Sequence, residues 1–159
     1  MVSLDILFQK GQGKKFPRFF YVKVAEETLA LSGMAFLAEK NISVSAVATD
    51  DEAVRRLNRE YRGKDVTTDI LSFYEYRSKK ALREEQSEEI FLGEIIFSVP
   101  FIERSAVEDG VSLEREMSFI VSHGILHLLG FRHGERMFGI QEQVTSRCAG
   151  YLPQKKHKE

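Results

Sequence analysis

The sequence contains a single cysteine, Cys148, so the chain cannot form an internal disulfide bond. This scarcity excludes the disulfide-stabilised class of secreted domains and favours a reducing compartment. No apolar run approaches the ~20 residues that a membrane span requires. Near the N-terminus, Asp5 and Gln9 interrupt a short apolar run, whereas a signal peptide needs a continuous one. We therefore expect a soluble protein that resides in the cytoplasm.

An excess of charge of one sign is also missing, because 23 basic and 24 acidic residues leave a net charge of −1. Dedicated nucleic-acid-binding proteins are usually basic overall, so the total charge does not favour that class. The charges are nevertheless unevenly distributed, and residues 55–64 contain five basic residues and one acid. Such a basic stripe either contacts phosphate or forms a solvated helix face.

Alternating and helical hydrophobic patterns divide the chain into strands and helices. The strands are predicted at residues 3–9, 42–48, 69–76 and 91–99. The helices are predicted at residues 19–40, 49–63, 100–109, 112–129 and 136–151. Four strands interleaved with about five helices predict an α+β fold in which the helices pack on one mixed sheet. A chain of 159 residues buries roughly 70% of its unfolded surface and is expected to form a single domain.

Polar segments and helix-end signals complete this prediction. Residues 78–89 are charged and aperiodic and are expected to form a flexible loop, and residues 152–159 a basic tail. Residues 49–52 match a Thr-x-x-Glu capping box, which is predicted to begin the second helix, and Gly63 lies near its predicted end.

Three of the four histidines lie in one short stretch, HGILHLLGFRH. His123 and His127 are four residues apart on an otherwise apolar helix, so their side chains lie on one face, about 5–6 Å apart at Cβ. Gly130 can adopt the left-handed conformation that ends this helix, which allows His133 to approach the same ion. Three imidazoles with an open fourth position are typical of catalytic zinc. We predict one zinc ion per chain, bound by these three histidines.

The same spacing occurs in metzincin proteases, whose motif is H-E-x-x-H-x-x-G-x-x-H followed by a Met-turn. Met137 follows the third histidine here, but Gly124 replaces the glutamate that serves those proteases as general base. A metal ion can by itself lower the pKa of a bound water to about 7, so hydrolysis remains available. Peptide hydrolysis also needs the glutamate to protonate the leaving nitrogen. A phosphodiester, with a ribose oxygen as leaving group, is therefore favoured.

A second group of residues, LNREYRGKDVTTDILSF at positions 57–73, joins the basic helix to the third strand. Arg62 lies at the predicted helix end, where a guanidinium can hold a phosphate through two hydrogen bonds and stabilise charge in phosphoryl transfer. Capping of the last helical carbonyls explains the same position equally well. Lys64 and Arg59 are nearby cations that could also hold phosphate.

The two groups together resemble the YbeY family of bacterial rRNA-maturation endoribonucleases. The family's histidine motif is similar to HGxLHLxGYDH, where this chain reads HGILHLLGFRH. Its second block, similar to LNxxYRGKDxxTDVLSFP, reads LNREYRGKDVTTDILSFY here. LGEI at residues 92–95 and MFGIQEQ at residues 137–143 are similar to two further family blocks. The glycine after the first histidine separates this pattern from that of the proteases.

The resemblance implies a zincin-like fold, with the first two histidines on a central helix and one zinc ion held by all three. It implies cleavage of single-stranded RNA at the 3′ end of small-subunit rRNA and a role in ribosome quality control. The implied partners are the small ribosomal subunit and its assembly factors. The implied catalytic residues are Arg62 and His123. The expected RNA or phosphate contacts are Arg59, Arg62 and Lys64.

Several positions depart from the family pattern. Arg132 replaces the aspartate that precedes the third histidine, Glu94 replaces an aspartate and Tyr74 replaces a proline. The acidic stretch after His133 is shortened to Gly-Glu-Arg. None of these changes removes a metal ligand. They bear on catalytic efficiency rather than on the fold or on metal binding.

Three functions remain open. An endoribonuclease is favoured, and Glu94, Asp69 and Glu116 are then candidates to support the site. A metallopeptidase would need a general base from outside the motif, such as Glu135 or Glu142. A ribosome-assembly factor without catalytic activity would use the zinc ion structurally. The oligomeric state stays open in all three cases.

Overall fold

A computed structural model describes residues 1–13 and 15–149 of the chain. The strands are β1 (Val2–Phe8), β2 (Asn41–Thr49), β3 (Ile70–Tyr74) and β4 (Glu89–Ser98). The helices are α1 (Arg18–Leu31), α2 (Asp51–Arg62), α3 (Lys79–Glu84), α4 (Val99–Asp109), α5 (Leu113–Leu128) and α6 (Glu135–Cys148), with a 3-10 turn at Ala35–Leu37. No helix within the described ranges combines the length and apolar character needed to cross a membrane.

The four strands form one mixed sheet in the order β1-β2-β4-β3. β1, β2 and β4 run parallel, whereas β3 pairs antiparallel with β4 and forms the edge of the sheet. The prediction of an α+β fold with a four-stranded mixed sheet is therefore confirmed. The helix count is six rather than about five among the described residues.

The core lies between the sheet and a layer formed by α1, α5 and α6. α5 is the central helix, and ten of its residues are buried. Its neighbours in the core include Phe20 of α1 and Phe97 of β4, both fully buried. A smaller cluster on the opposite face joins Val54 of α2 to Leu71 and Ile96 of the sheet. Both faces of β3 and β4 are thus covered, which fixes these strands firmly beneath α5.

The prediction of one helix over residues 19–40 was wrong in its second half. α1 ends at Leu31, and Gly33 takes a positive φ of 75°. A left-handed residue cannot continue a right-handed helix, so the chain turns there. The apolar pattern of the sequence gives no sign of this break, because Met34 and Leu37, which follow it, are also buried.

The predicted capping box at residues 49–52 was also wrong. Thr49 is the last residue of β2, and its buried Oγ1 has no hydrogen-bond partner. Asp50 caps α2 instead, since its side chain accepts a hydrogen bond of 3.0 Å from the backbone N–H of Ala53. The predicted end of this helix is confirmed, because Gly63 takes the left-handed conformation immediately after Arg62.

Part of the segment expected to be a loop is helical. Within residues 78–89, α3 occupies Lys79–Glu84, and β4 already begins at Glu89. The Ser78 side chain accepts a hydrogen bond from Ala81 N–H, and Leu82 anchors the short helix in the core. The mobility of this segment stays a prediction. The basic tail at residues 152–159 and the end of the last predicted helix, at residues 150–151, lie outside the described residues.

Candidate metal centre

Helix α5 brings His123 and His127 together. Ser112 caps its N-terminus by accepting a hydrogen bond from Arg115 N–H. One helical turn separates the two histidines, and their Nε2 atoms lie 3.0 Å apart. The i, i+4 spacing read from the sequence therefore places two imidazole nitrogens at one point, as expected.

His133 reaches the same point after a sharp turn of the chain. α5 ends at Leu128, Gly130 has a φ of 91°, and Phe131 is buried and anchors the turn. The ring of His133 then lies 4.9 Å from that of His123 and 4.7 Å from that of His127, measured between centroids. One nitrogen of each of the three histidines lies within 4.8 Å of the other two.

Two oxygen atoms fix the orientation of the first two imidazoles. Nδ1 of His127 lies 3.1 Å from the backbone oxygen of Phe131, and Nδ1 of His123 lies 3.4 Å from Oε1 of Gln141. The Gln141 side chain is held in this orientation because its Nε2 donates a hydrogen bond of 3.1 Å to the Phe119 carbonyl. Since both oxygens can only accept, each Nδ1 carries the proton and each Nε2 presents a lone pair.

This arrangement fits a metal ion. Burial lowers the pKa of His123, against opposing effects of Gln141 and Asp69, and lowers that of His127, where the charge of His123 adds to the effect. Both rings are therefore neutral at pH 7. Two lone pairs 3.0 Å apart repel each other unless a cation lies between them. Ligands at 2.0–2.1 Å from a tetrahedral ion lie about 3.3 Å apart, close to the observed distance.

Gly124 faces the sheet, away from the converging nitrogens. A Cβ atom at this position would lie 2.5 Å from Cδ1 of Ile70 and 3.1 Å from Cγ2 of Ile95. The Gly124 carbonyl also accepts a hydrogen bond of 3.1 Å from the Ser72 hydroxyl. The helix therefore lies close to the sheet, and a side chain here would have to displace Ile70. The packing thus disfavours a glutamate at the position where the proteases carry their base.

The three histidines open into a pocket of about 440 Å³. Arg62 lines it, and Asp69 lies in its wall near His123. Arg59 and Lys64 are exposed and do not line the pocket. Arg59 instead lies 3.8 Å from the carboxylate of Asp65. Of the three cations singled out from the sequence, the structure brings only Arg62 to the histidines.

The remaining acidic candidates lie elsewhere. Glu94 accepts a hydrogen bond from Ser45 across the sheet, and Glu142 forms an ion pair with Arg115. Glu135 is exposed at the start of α6 and does not line the pocket. Glu116 is buried in α5 outside the pocket wall, and burial, together with Asp109 and Asp69, raises its pKa to about 7. Neither Glu135 nor Glu142, the candidates for the general base of a metallopeptidase, therefore lines the pocket.

Two groups of residues escaped the sequence prediction. Gln141 and the Phe131 carbonyl orient the ligands, and only the family-like block at residues 137–143 pointed towards the first of them. Tyr74, at the end of β3, and Tyr76 and Arg77, which follow the strand, also line the pocket. Of these, Tyr74 was noted solely as a departure from the family pattern.

Known proteins resemble this chain over most of its length. Residues 7–149 match the family model described as Endoribonuclease YbeY. A protein of that name from Caldicellulosiruptor bescii is 38% identical over 136 residues, which cover 83% of this chain and 86% of the relative. Another from Persephonella marina is 31% identical over 161 residues, covering 92% and 94% of the two chains.

A solved structure shows the same fold. The solution structure of TM1509 from Thermotoga maritima superimposes with a TM-score of 0.64 and 23% sequence identity, covering 99% of this chain and 100% of the other. The family match rests on sequence, and it includes all three histidines and Arg62. Because the family model spans residues 7–149 and relatives of the same name are similar over most of the chain, the chain belongs to the YbeY endoribonuclease family.

Proposed function

We propose that this chain is a zinc-dependent endoribonuclease that cleaves single-stranded RNA, and that a single domain spanning residues 1–159 carries this activity. The observation that supports the proposal most strongly is the presence of Arg62 in the same pocket as three converging imidazoles. A phosphate-binding cation next to an open metal site is what phosphodiester hydrolysis requires.

The histidines and the cations of this region have different proposed roles. His123, His127 and His133 would hold the metal ion, which when bound acidifies water and polarises a phosphoryl oxygen. Arg62 has no ion-pair partner among the described residues, so its guanidinium is available to hold the phosphate and to stabilise the charge that develops on it. Arg59 and Lys64, exposed beyond the pocket, would contact neighbouring phosphates of a longer RNA.

Zinc is the metal we propose, because three neutral imidazoles with an open position suit it. For the substrate, we propose the 3′ end of small-subunit rRNA, with the small ribosomal subunit and its assembly factors as partners and ribosome quality control as a second role. The relatives named Endoribonuclease YbeY support the class of reaction. The buried single cysteine is compatible with the cytoplasmic location that this substrate requires.

The first measurement is the metal content of wild type and His133→Ala, purified without chelator. We expect about one zinc per wild-type chain and strongly reduced zinc in the folded variant. Cleavage of single-stranded RNA is then compared between wild type, Arg62→Ala and Arg56→Ala. Arg56 lies on the same helix, is exposed and does not line the pocket, so it controls for loss of charge.

Arg62→Ala is expected to keep the fold and the metal and to lose RNA cleavage, whereas Arg56→Ala keeps all three. Zinc that persists in His133→Ala would contradict the proposed ligand set. If Arg62→Ala leaves function intact while His123→Ala unfolds the protein, the metal is structural and the chain is a non-catalytic assembly factor. Casein turnover that is abolished by chelator would instead reveal a metallopeptidase.

A further inference from the structure

The edge strand β3 forms part of the pocket wall. Its alternation turns Ile70, Ser72 and Tyr74 towards α5, since the first meets Gly124 and the second donates to the carbonyl of the same residue. From Ile70 to Tyr74 the strand extends about 13 Å, at roughly 3.3 Å per residue. The pocket wall therefore includes, besides the three histidines, a stretch of β3 that is longer than one phosphate group.

Tyr74 presents a free aromatic face in the pocket wall. Its side chain is 59% exposed, and among the described residues no other ring stacks on it. It pairs across the sheet with Gly93, which has a φ of 134° and whose Cβ would lie 2.1 Å from the Phe73 oxygen. Because glycine is required opposite Tyr74, no cross-strand side chain covers the ring.

Two further residues complete this part of the wall. Tyr76 is half-buried against the core, and its pKa is raised by burial and by the charges of Glu85 and Glu75, so its hydroxyl stays protonated and can donate. Arg77 is exposed, and no acid of residues 1–13 or 15–149 forms an ion pair with it. A rigid phenol and an unpaired guanidinium thus lie next to an open aromatic ring.

The pocket wall carries charges of both signs. Asp69 lines it near His123, and its carboxylate accepts a hydrogen bond of 2.6 Å from Ile70 N–H. Arg77 also lines the pocket, whereas Lys79 does not; the Lys79 ammonium lies 3.7 Å from the centre of the ring of Phe131, which does. Glu75 is exposed between Tyr74 and Tyr76 but does not line the pocket. The charged residue that accompanies Tyr74 and Tyr76 in this wall is therefore Arg77, which favours an anion beside an aromatic ligand.

We propose that Tyr74, Tyr76 and Arg77 form a nucleotide-binding subsite, in which the base of a nucleotide flanking the cleaved bond stacks on Tyr74 and its phosphate pairs with Arg77. The inference rests on the proposed endoribonuclease function. Every base has a π-face, so this subsite tolerates different bases. It requires an unpaired nucleotide, because a base within a duplex cannot reach an aromatic side chain.

The experiment measures both binding and cleavage. Binding of a short, fluorescently labelled 2′-O-methyl oligonucleotide is followed by anisotropy, and cleavage of the matching RNA gives KM and kcat. Tyr74→Ala is expected to raise Kd and KM about tenfold with kcat little changed, because one stacked base is lost. Tyr74→Phe keeps the ring and should restore wild-type values. Phe19→Ala removes a comparably exposed ring, 53% accessible, from α1 and serves as control.

Arg77 is tested through salt dependence. Arg77→Gln is expected to reduce the slope of log Kd against log salt by about 0.7, the contribution of one phosphate contact on a single strand. Lys80→Gln removes the same charge three residues away, outside the pocket, and should leave the slope unchanged. A slope that falls equally in both variants would reveal a general charge effect and overturn the assignment of Arg77.

The outcomes separate this inference from the proposed function. If wild type cleaves RNA and Tyr74→Ala binds and cleaves as wild type does, the subsite is wrong while the function stands. If wild type cleaves no RNA but binds the oligonucleotide, and Tyr74→Ala weakens that binding, the subsite stands while the proposed function fails. A wild type that neither binds nor cleaves overturns both.

Discussion

The side-chain oxygen of Gln141 lies 3.4 Å from Nδ1 of His123, so a residue of α6 orients an imidazole of the candidate metal site on α5. The contact joins positions that are 18 residues apart. Its second hydrogen bond, from Nε2 to the Phe119 carbonyl, prevents the amide from turning over. Partners of this kind fix the tautomer and orientation of a ligating imidazole.

Substitution of Gln141 by alanine should therefore weaken metal binding. We expect the affinity for zinc to fall by about 10–100-fold, because the His123 ring loses the acceptor that holds its proton on Nδ1. Competition with a chromophoric chelator measures this affinity. Gln143→Ala changes the same residue type at an exposed position of the same helix and should bind zinc as wild type does. Equal affinities in both variants would show that Gln141 does not position the ligand.

Gly124→Ala should destabilise the fold, although alanine favours a helix over glycine by about 1 kcal/mol. The new methyl group would meet Ile70 and Ile95 between α5 and the sheet, and overpacking of this kind costs about 1–3 kcal/mol. Gly139 lies in α6 with open space around it, so Gly139→Ala should stabilise the protein by up to about 1 kcal/mol. Chemical denaturation of both variants measures whether each substitution lowers or raises the free energy of unfolding.

Glu116→Gln should change how stability depends on pH. Burial, followed by Asp109 and Asp69, raises the pKa of Glu116 to about 7 from its usual 4.5. A raised pKa means that the wild-type protein is most stable while this carboxyl is protonated, and that stability is lost as pH rises from about 4.5 to about 7. At pH 8 the variant should gain up to about 3.5 kcal/mol over wild type, since the pKa rises from 4.5 to about 7 and each pKa unit corresponds to about 1.4 kcal/mol. At pH 4 the two should be nearly equal.

The free energies of unfolding of wild type and Glu116→Gln are compared by urea unfolding at several pH values. Glu114→Gln provides the control, because Glu114 is a neighbouring acid of the same helix turn that is only half-buried. A difference between Glu116→Gln and wild type that is the same at pH 4 and pH 8 would contradict a titrating carboxyl.

Metal binding should weaken only in acid. Burial lowers the pKa values of His123 and His127 from the usual 6.5, so both rings remain neutral ligands down to lower pH than free imidazole does. The affinity for zinc is therefore expected to be nearly constant from pH 8 to 7 and to fall below pH 6.5, where protons begin to compete. Calorimetric titration with zinc at several pH values across this range measures the affinity. A steep loss of affinity between pH 8 and 7 would indicate a different ligand.

Local sequence patterns were sufficient for much of the secondary structure. They failed at Gly33, where buried residues continue on both sides of the break, and at α3, a short charged helix stabilised mainly by burial of Leu82. In the second case a single apolar residue leaves no periodicity to detect. Both failures occurred where packing between distant segments, rather than local preference, determines the conformation.

The sequence by itself determined that the three histidines converge, because an i, i+4 pair and a helix-ending glycine are local features with one geometric outcome. Only the tertiary structure decided which groups accompany the metal site. It brought Arg62 and Gln141 to the histidines, left Lys64 outside the pocket, and gave Gly124 its role in close helix–sheet packing. Such contacts join residues that are far apart in the chain. Their distances depend on how the helices lie on the sheet, which no local pattern specifies.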